Sequence, residues 1–138
     1  MAKILLVEDD PFLTNMYKTR FESSGYEVIT ARDGETALTM VRQTAPNLII
    51  LDVMLPKLGG FSILGEMQKS DMLKKIPVIV WTNLADEESI KKAKGYGVKE
   101  FLIKAQNTPT QIVEIVKKYL PVETKATNAT SEANPAGK

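Results

Sequence analysis

Five short apolar runs recur along this chain, and each is followed by a stretch with helical spacing. The runs are KILLV (3–7), YEVIT (26–30), NLIILDV (47–53), PVIVWT (77–82) and VKEFLIK (98–104). Each has the length of a strand, and NLIILDV is apolar almost throughout, as a strand covered on both faces must be. The segments between them carry helix signals. Asp10-Pro11 reads as an N-cap followed by proline at the first helical position. That helix runs to about Ser24, with Leu13, Met16, Tyr17 and Phe21 near one face and Gly25 as its stop. Asp33 caps a second helix, with Ala37, Leu38 and Val41 inward, ending near Ala45-Pro46. LPKLGG reads as a loop, and a third helix runs from about Phe61 to Lys69. ADEESIKKAKGYG (85–97) is a polar helix closed by glycines. Thr108-Pro109 opens a last helix whose Ile112, Ile115, Val116 and Leu120 form one apolar stripe. Strands that alternate with helices in this way build right-handed βαβ units and a parallel sheet, so the expected class is α/β.

The 138 residues suit one domain. With 43% apolar and 25% charged residues, a disordered chain, a coiled coil and a collagen-like repeat are excluded. The last stretch, PVETKATNATSEANPAGK (121–138), has one valine and no aromatic, and reads as a flexible tail or linker stub behind a domain spanning 1–120. Its Asn128-Ala129-Thr130 sequon is read as accidental, for lack of a secretory signal. A net charge of +1 gives no reason to expect nucleic acid or an anionic membrane as the main partner. No apolar run approaches the ~18 residues of a spanning helix, and the first is too short for a signal peptide. The expected location is the cytoplasm, with no membrane insertion.

The chain has no cysteine and no histidine, which leaves carboxylates, hydroxyls, lysines and a hard cation to carry any chemistry. In an open parallel sheet, ligands bind outside the carboxyl ends of the strands, where strand order reverses. The first strand ends in Glu8, Asp9 and Asp10, the third at Asp52, the fourth at Thr82 and Asn83, the fifth at Lys104. Carboxylates brought together repel, so such a cluster favours an oxygen-ligated ion, best Mg²⁺. Asp52 is the sharpest signal, because an Asp amid apolar neighbours is costly unless paired or coordinating. Asp10 has an equal claim to be a helix cap alone. Glu8 and Asp9 could line a solvated loop, Thr82 could be an ordinary strand threonine, and Lys104 an ordinary surface lysine. The joint pattern carries the argument.

That pattern resembles the receiver domain of two-component response regulators. The resemblance rests on ILLVEDDPFL, NLIILDVMLPKLGGFSIL, PVIVWT and GVKEFLIK, with Asp52, Pro56 and Gly60 at the family's spacing, and it covers residues 3–120. It implies a flavodoxin-like (βα)5 three-layer sandwich with strand order 2-1-3-4-5. It also implies that Asp52 accepts a phosphoryl group from a phosphohistidine on a sensor histidine kinase or phosphotransfer protein. Asp9, Asp52 and the Met54 carbonyl would bind Mg²⁺, with Glu8 acting through water. Thr82 and Lys104 would hold phosphoryl oxygens, and Thr82 with Phe101 would form the switch. That switch would remodel the face of the fourth helix, fifth strand and fifth helix for a downstream protein target.

Three positions depart from the family pattern: Ala105 where proline is usual, Asn83 where a small residue is usual, and Gly59 where Asp is common. Without a proline, the Lys104–Ala105 bond is expected to be trans. Met54 and Leu84, two residues beyond Asp52 and Thr82, carry no group that orients water, so slow autodephosphorylation is expected. The leading expectation is a phosphorylation-dependent switch without an output domain. The alternatives are a fragment of a longer regulator, a pseudo-receiver that binds partners without taking phosphate, and an Asp-nucleophile phosphatase or phosphotransferase of another family.

Overall fold

A computed structural model describes residues 1–55, 59–84 and 86–121. The strands are β1 (Lys3–Val7), β2 (Glu27–Ala31), β3 (Leu48–Leu51), β4 (Val78–Thr82) and β5 (Glu100–Ile103). The helices are α1 (Pro11–Ser23), α2 (Gly34–Thr44), α3 (Gly60–Gln68), α4 (Glu87–Gly95) and α5 (Pro109–Tyr119). The strands form one sheet in the order β2-β1-β3-β4-β5. Every neighbouring pair is parallel, with Ile4 opposite both Val28 and Leu48, Ile50 opposite Ile79, and Val80 opposite Phe101. This is the flavodoxin-like arrangement expected of the sequence.

Strand side chains alternate between the two faces of a sheet, and here that alternation sorts the core into layers. Ile4 and Leu6 of β1, Leu48 and Ile50 of β3, Ile79 and Trp81 of β4 and Leu102 of β5 pack with Tyr17 and Phe21 of α1 and Ile112, Val113 and Val116 of α5. Leu5, Val7, Ile49, Leu51 and Val78 face the other way, onto Ala37 and Val41 of α2 and Ile63, Leu64 and Met67 of α3. Val80 joins Val53 and Ala93 in a smaller group under α4. The inward residues expected of α2, Ala37, Leu38 and Val41, are all buried. In α5 the deep positions are Ile112, Val113 and Val116, while Ile115 and Leu120 are half-buried at the margin.

The caps follow the sequence signals. Asp10 Oδ1 accepts from the Phe12 and Leu13 N–H groups at 2.9 and 3.4 Å. Asp33 accepts from Thr36 N–H at 2.8 Å, and Thr108 forms a capping box with Gln111. Gly25, just past α1, has φ 101, a conformation that costs glycine least. Several boundaries differ from the expectation. β3 stops at Leu51 instead of Val53, and β5 covers Glu100–Ile103 instead of 98–104. The chain leaves the sheet at these points because Asp52 turns it, its Oδ1 accepting from Met54 N–H at 2.9 Å, and because Lys104–Gln106 forms a 3-10 turn. A second 3-10 turn, Leu73–Lys75, precedes β4. Pro56, the expected helix start at Ala85, and residues 122–138 lie outside the described residues.

Gly60 marks where α3 docks against the end of β3. Its N–H donates to Val53 O at 3.3 Å, and a Cβ built on it would lie 2.5 Å from Val53 Cα and 3.0 Å from Asp52 O. Backbone on both sides cannot yield easily, so Gly60→Ala is expected to cost about 1–3 kcal/mol. Urea unfolding checks this, and a loss below about 0.5 kcal/mol, the usual scatter of surface substitutions, would show that the docking is loose.

Candidate functional site

Chain connections run from β1 outward to β2 and from β3 outward to β4 and β5, so the β1–β3 seam is the switch point. Glu8 and Asp9 follow β1 and Asp52 follows β3, which sets all three at that seam. Carboxylate oxygens of Glu8, Asp9 and Asp52 lie within 4.8 Å of one another. Glu8 is 1% exposed and Asp52 4%, whereas Asp9 is exposed.

Lys104 closes the cluster from the far side. Its Nζ donates to Asp52 Oδ2 at 2.7 Å and to Glu8 Oε1. Asp52 therefore has both oxygens engaged, Oδ1 by the Met54 N–H and Oδ2 by the ammonium. Glu8 is similarly anchored, with Oε2 accepting from Asp10 N–H at 2.9 Å. Burial pushes the Glu8 carboxyl above its ordinary value, although the Lys104 ammonium pulls it the other way. Burial also works against the charge on Lys104, but hydrogen bonds to Asp52 and Glu8 outweigh it and hold the ammonium above its usual pKa. The Lys104 ammonium also lies over an aromatic face, with Nζ 4.6 Å from the Trp81 ring centroid. Tyr17 meets the same ring edge-on at 4.6 Å.

Thr82 ends β4 fully buried, and its Oγ1 accepts from Leu84 N–H at 3.2 Å. Phe101 is half-buried and packs with Leu84 and Val98 against Val53, Val80 and Ala93. Alternation explains this neighbourhood: Phe101 stands opposite Val80 and shares its face. Met54 projects into solvent, with 55% exposure. The Lys104–Ala105 bond is trans, and no cis peptide occurs among the described residues. Two further residues shape the site. Trp81 had a legible signal, since it immediately precedes Thr82 in step with Ile79. Asn83, whose Oδ1 accepts from Ala105 N–H at 3.1 Å, is marked in the sequence by its place at the end of the fourth strand and by its departure from pattern.

Three carboxylates with no sulfur or imidazole nearby form a hard donor set suited to Mg²⁺ or a similar oxygen-ligated cation. Among the described residues, no helix is long and apolar enough to cross a membrane.

Known proteins resemble this chain in sequence and in fold. The chain is 33% identical over 120 residues to the polar-differentiation response regulator DivK of Brucella anthropi, covering 85% of this chain and 94% of that protein. It is 34% identical over 132 residues to the probable transcriptional regulator ycf27 of Cyanophora paradoxa, but covers only 54% of that longer protein. Among solved structures, chemotaxis response regulator CheY4 of Vibrio cholerae superposes with a TM-score of 0.79 at 28% identity, covering 87% of this chain and 99% of that one. The Mn²⁺-bound form of response regulator Rcp1 superposes with a TM-score of 0.77 at 29% identity, covering 91% and 100%. The family model of the response regulator receiver domain matches residues 4–117, and with the β1–β3 acidic seam in place, the chain belongs to that family.

Proposed function

We propose that residues 1–120 form a receiver that accepts a phosphoryl group on Asp52 from the phosphohistidine of a histidine kinase or phosphotransfer protein. The observation that carries this reading is the setting of Asp52. It is a buried carboxylate at the switch point, held by one backbone N–H and one ammonium beside two further carboxylates. An Asp52 oxygen attacks phosphorus, the P–N bond breaks as the O–P bond forms, and the imidazole leaves as the neutral base after taking a solvent proton. Glu8, Asp9 and Asp52 are the residues that would hold Mg²⁺, with the Met54 carbonyl as the fourth expected contributor. When bound, Mg²⁺ offsets negative charge on the transferred group. Lys104, which donates to Asp52, would also donate to phosphoryl oxygens carried on that carboxylate. The Thr82 hydroxyl accepts from the Leu84 amide and keeps its own proton, which it would donate likewise on moving toward the phosphoryl group, and Phe101 would follow it inward. That motion changes the α4–β5–α5 face, which we assign to a downstream protein target.

The test is labelling of the chain by a small acyl phosphate donor, with and without Mg²⁺. A base-labile acyl phosphate that forms only with the cation supports the reading. A chain that stays unlabelled while its fold is intact overturns it in favour of a pseudo-receiver, which binds partners without taking phosphate.

Met54 and Leu84 set a second expectation. Met54 is open to solvent and Leu84 is half-buried against the α4 group, so neither presents a polar group to a water in line with Asp52. Met54→Asn with Leu84→Glu is expected to speed decay of the acyl phosphate about tenfold, because a barrier change of ~1.4 kcal/mol suffices. Decay of labelled protein in Mg²⁺ buffer reads this directly. Equal rates would show that these side chains do not govern access of water.

A further inference from the structure

Asn83 and Ala105 are two of the places where this chain leaves the receiver pattern, and the structure joins them. The Ala105 N–H donates to Asn83 Oδ1 at 3.1 Å. The proline usual at that place has no N–H to give, so the bond exists only because both departures occur together. β4 and β5 pair as far as Thr82 opposite Ile103, and there the backbone ladder ends. The Asn83 side chain adds one more tie beyond it, between the loop that carries Thr82 and the 3-10 turn that begins at Lys104. That turn is fastened twice more, by Asn107 Nδ2 donating to Ile103 O at 2.9 Å and by Lys104 Nζ on Asp52 at 2.7 Å. In the same loop, the Thr82 hydroxyl is engaged with its own Leu84 amide at 3.2 Å.

We propose that Asn83 is a positioning residue: its bond to the Ala105 amide holds the loop after β4 against the turn after β5 with Thr82 facing Leu84, and so slows phosphoryl transfer to Asp52. This role rests on Asp52 being the phosphoacceptor. On that reading Thr82 moves toward the phosphoryl group to donate its hydroxyl proton, and Asn83, its chain neighbour, is carried with it. The turn after β5 does not follow, because Lys104 stays anchored at the site through Glu8. The Asn83–Ala105 bond must then lengthen or break, and the free energy it contributed is added to the barrier. A neutral hydrogen bond at an exposed place changes a rate by roughly two- to tenfold.

The test is a double-mutant cycle on the full chain: wild type, Asn83→Ala, Ala105→Pro and the pair. The first readout is the initial rate of labelling by a small acyl phosphate donor in Mg²⁺. The second, which does not depend on phosphorylation, is hydrogen exchange at the Ala105 amide in wild type, Asn83→Ala and Asn83→Asp. Asn83→Ala is expected to raise the labelling rate roughly two- to tenfold in the wild-type background and to leave it unchanged beside Ala105→Pro. The Ala105 amide should exchange faster in Asn83→Ala and regain protection in Asn83→Asp, which keeps an acceptor oxygen in place. Equal effects of Asn83→Ala in both backgrounds, a slower Asn83→Ala protein, or an Ala105 amide indifferent to residue 83 would each overturn the role. A wild type that takes no label overturns the phosphoacceptor reading and this role with it, whereas labelled wild type with an additive cycle overturns Asn83 alone.

Discussion

Asp52→Asn is expected to lose at least about a hundredfold in labelling by any phosphodonor, a barrier increase of ~2.7 kcal/mol or more. The amide oxygen is a far weaker nucleophile than a carboxylate oxygen, and an acyl phosphate cannot form on it. The substitution is otherwise mild. The amide oxygen can still accept from Met54 N–H, while Nδ2 loses the 2.7 Å bond from the Lys104 ammonium, which keeps Glu8 as its partner. Removing one negative charge from a trio within 4.8 Å relieves repulsion and offsets part of the ion pair lost to Lys104, so the variant should still fold. The measurement is incorporation of labelled phosphate in Mg²⁺, with circular dichroism to show that the fold persists. Normal incorporation into folded Asp52→Asn would place the acceptor elsewhere, and Asp9 would become the next carboxylate to test.

Much of this could be read before any coordinates, for reasons that differ by element. A buried parallel strand must be apolar on both faces, so LIIL announced itself, and the Asp after it was conspicuous for the same reason. Helix caps are local, and Asp10, Asp33 and Thr108 each declared a helix start within three residues. What stayed hidden is nonlocal or too short to have a period. Leu73–Lys75 is a single 3-10 turn, below the length at which periodicity exists. The strand ends were overrun at Val53 and Lys104, because apolar and amphipathic residues continue past the point where a side chain turns the backbone away. Lys104 lies 52 residues from Asp52 and 96 from Glu8, and nothing in the spacing of a lysine says that it bridges both. Asn83 and Ala105 were visible as departures, but their hydrogen bond was not, since a cross-strand tie depends on register rather than on composition.

The Lys104 bridge leads to the largest expected effect on stability. Lys104→Met keeps an unbranched apolar side chain and removes the charge. Glu8 and Asp52 are then left buried with no cation between them, beside Asp9. Breaking a buried ion pair by deleting one partner costs ~3–5 kcal/mol. The site opens at the sheet edge, where Lys104 retains 13% side-chain exposure, so water softens the loss toward the lower end, about 3 kcal/mol. Against a total stability of ~5–15 kcal/mol, that is a large fraction. The same physics says how to restore it. A divalent cation held by the three carboxylates supplies the missing positive charge, and it binds the folded form only. At a hundredfold excess over its dissociation constant, such a ligand stabilises by ~2.7 kcal/mol. Mg²⁺ should therefore bind Lys104→Met more tightly than wild type, where the ammonium already neutralises part of the cluster, and should recover most of the lost stability. Trp81 is the one tryptophan in the chain and lies against residue 104, so its fluorescence follows both unfolding in urea and cation binding. The comparison is wild type against Lys104→Met, each with chelator and with Mg²⁺. A deficit that is the same in both solutions would mean that the carboxylates do not share a cation site. A deficit below about 1 kcal/mol, the value of an exposed pair, would mean that the Lys104 bridge is only a surface contact.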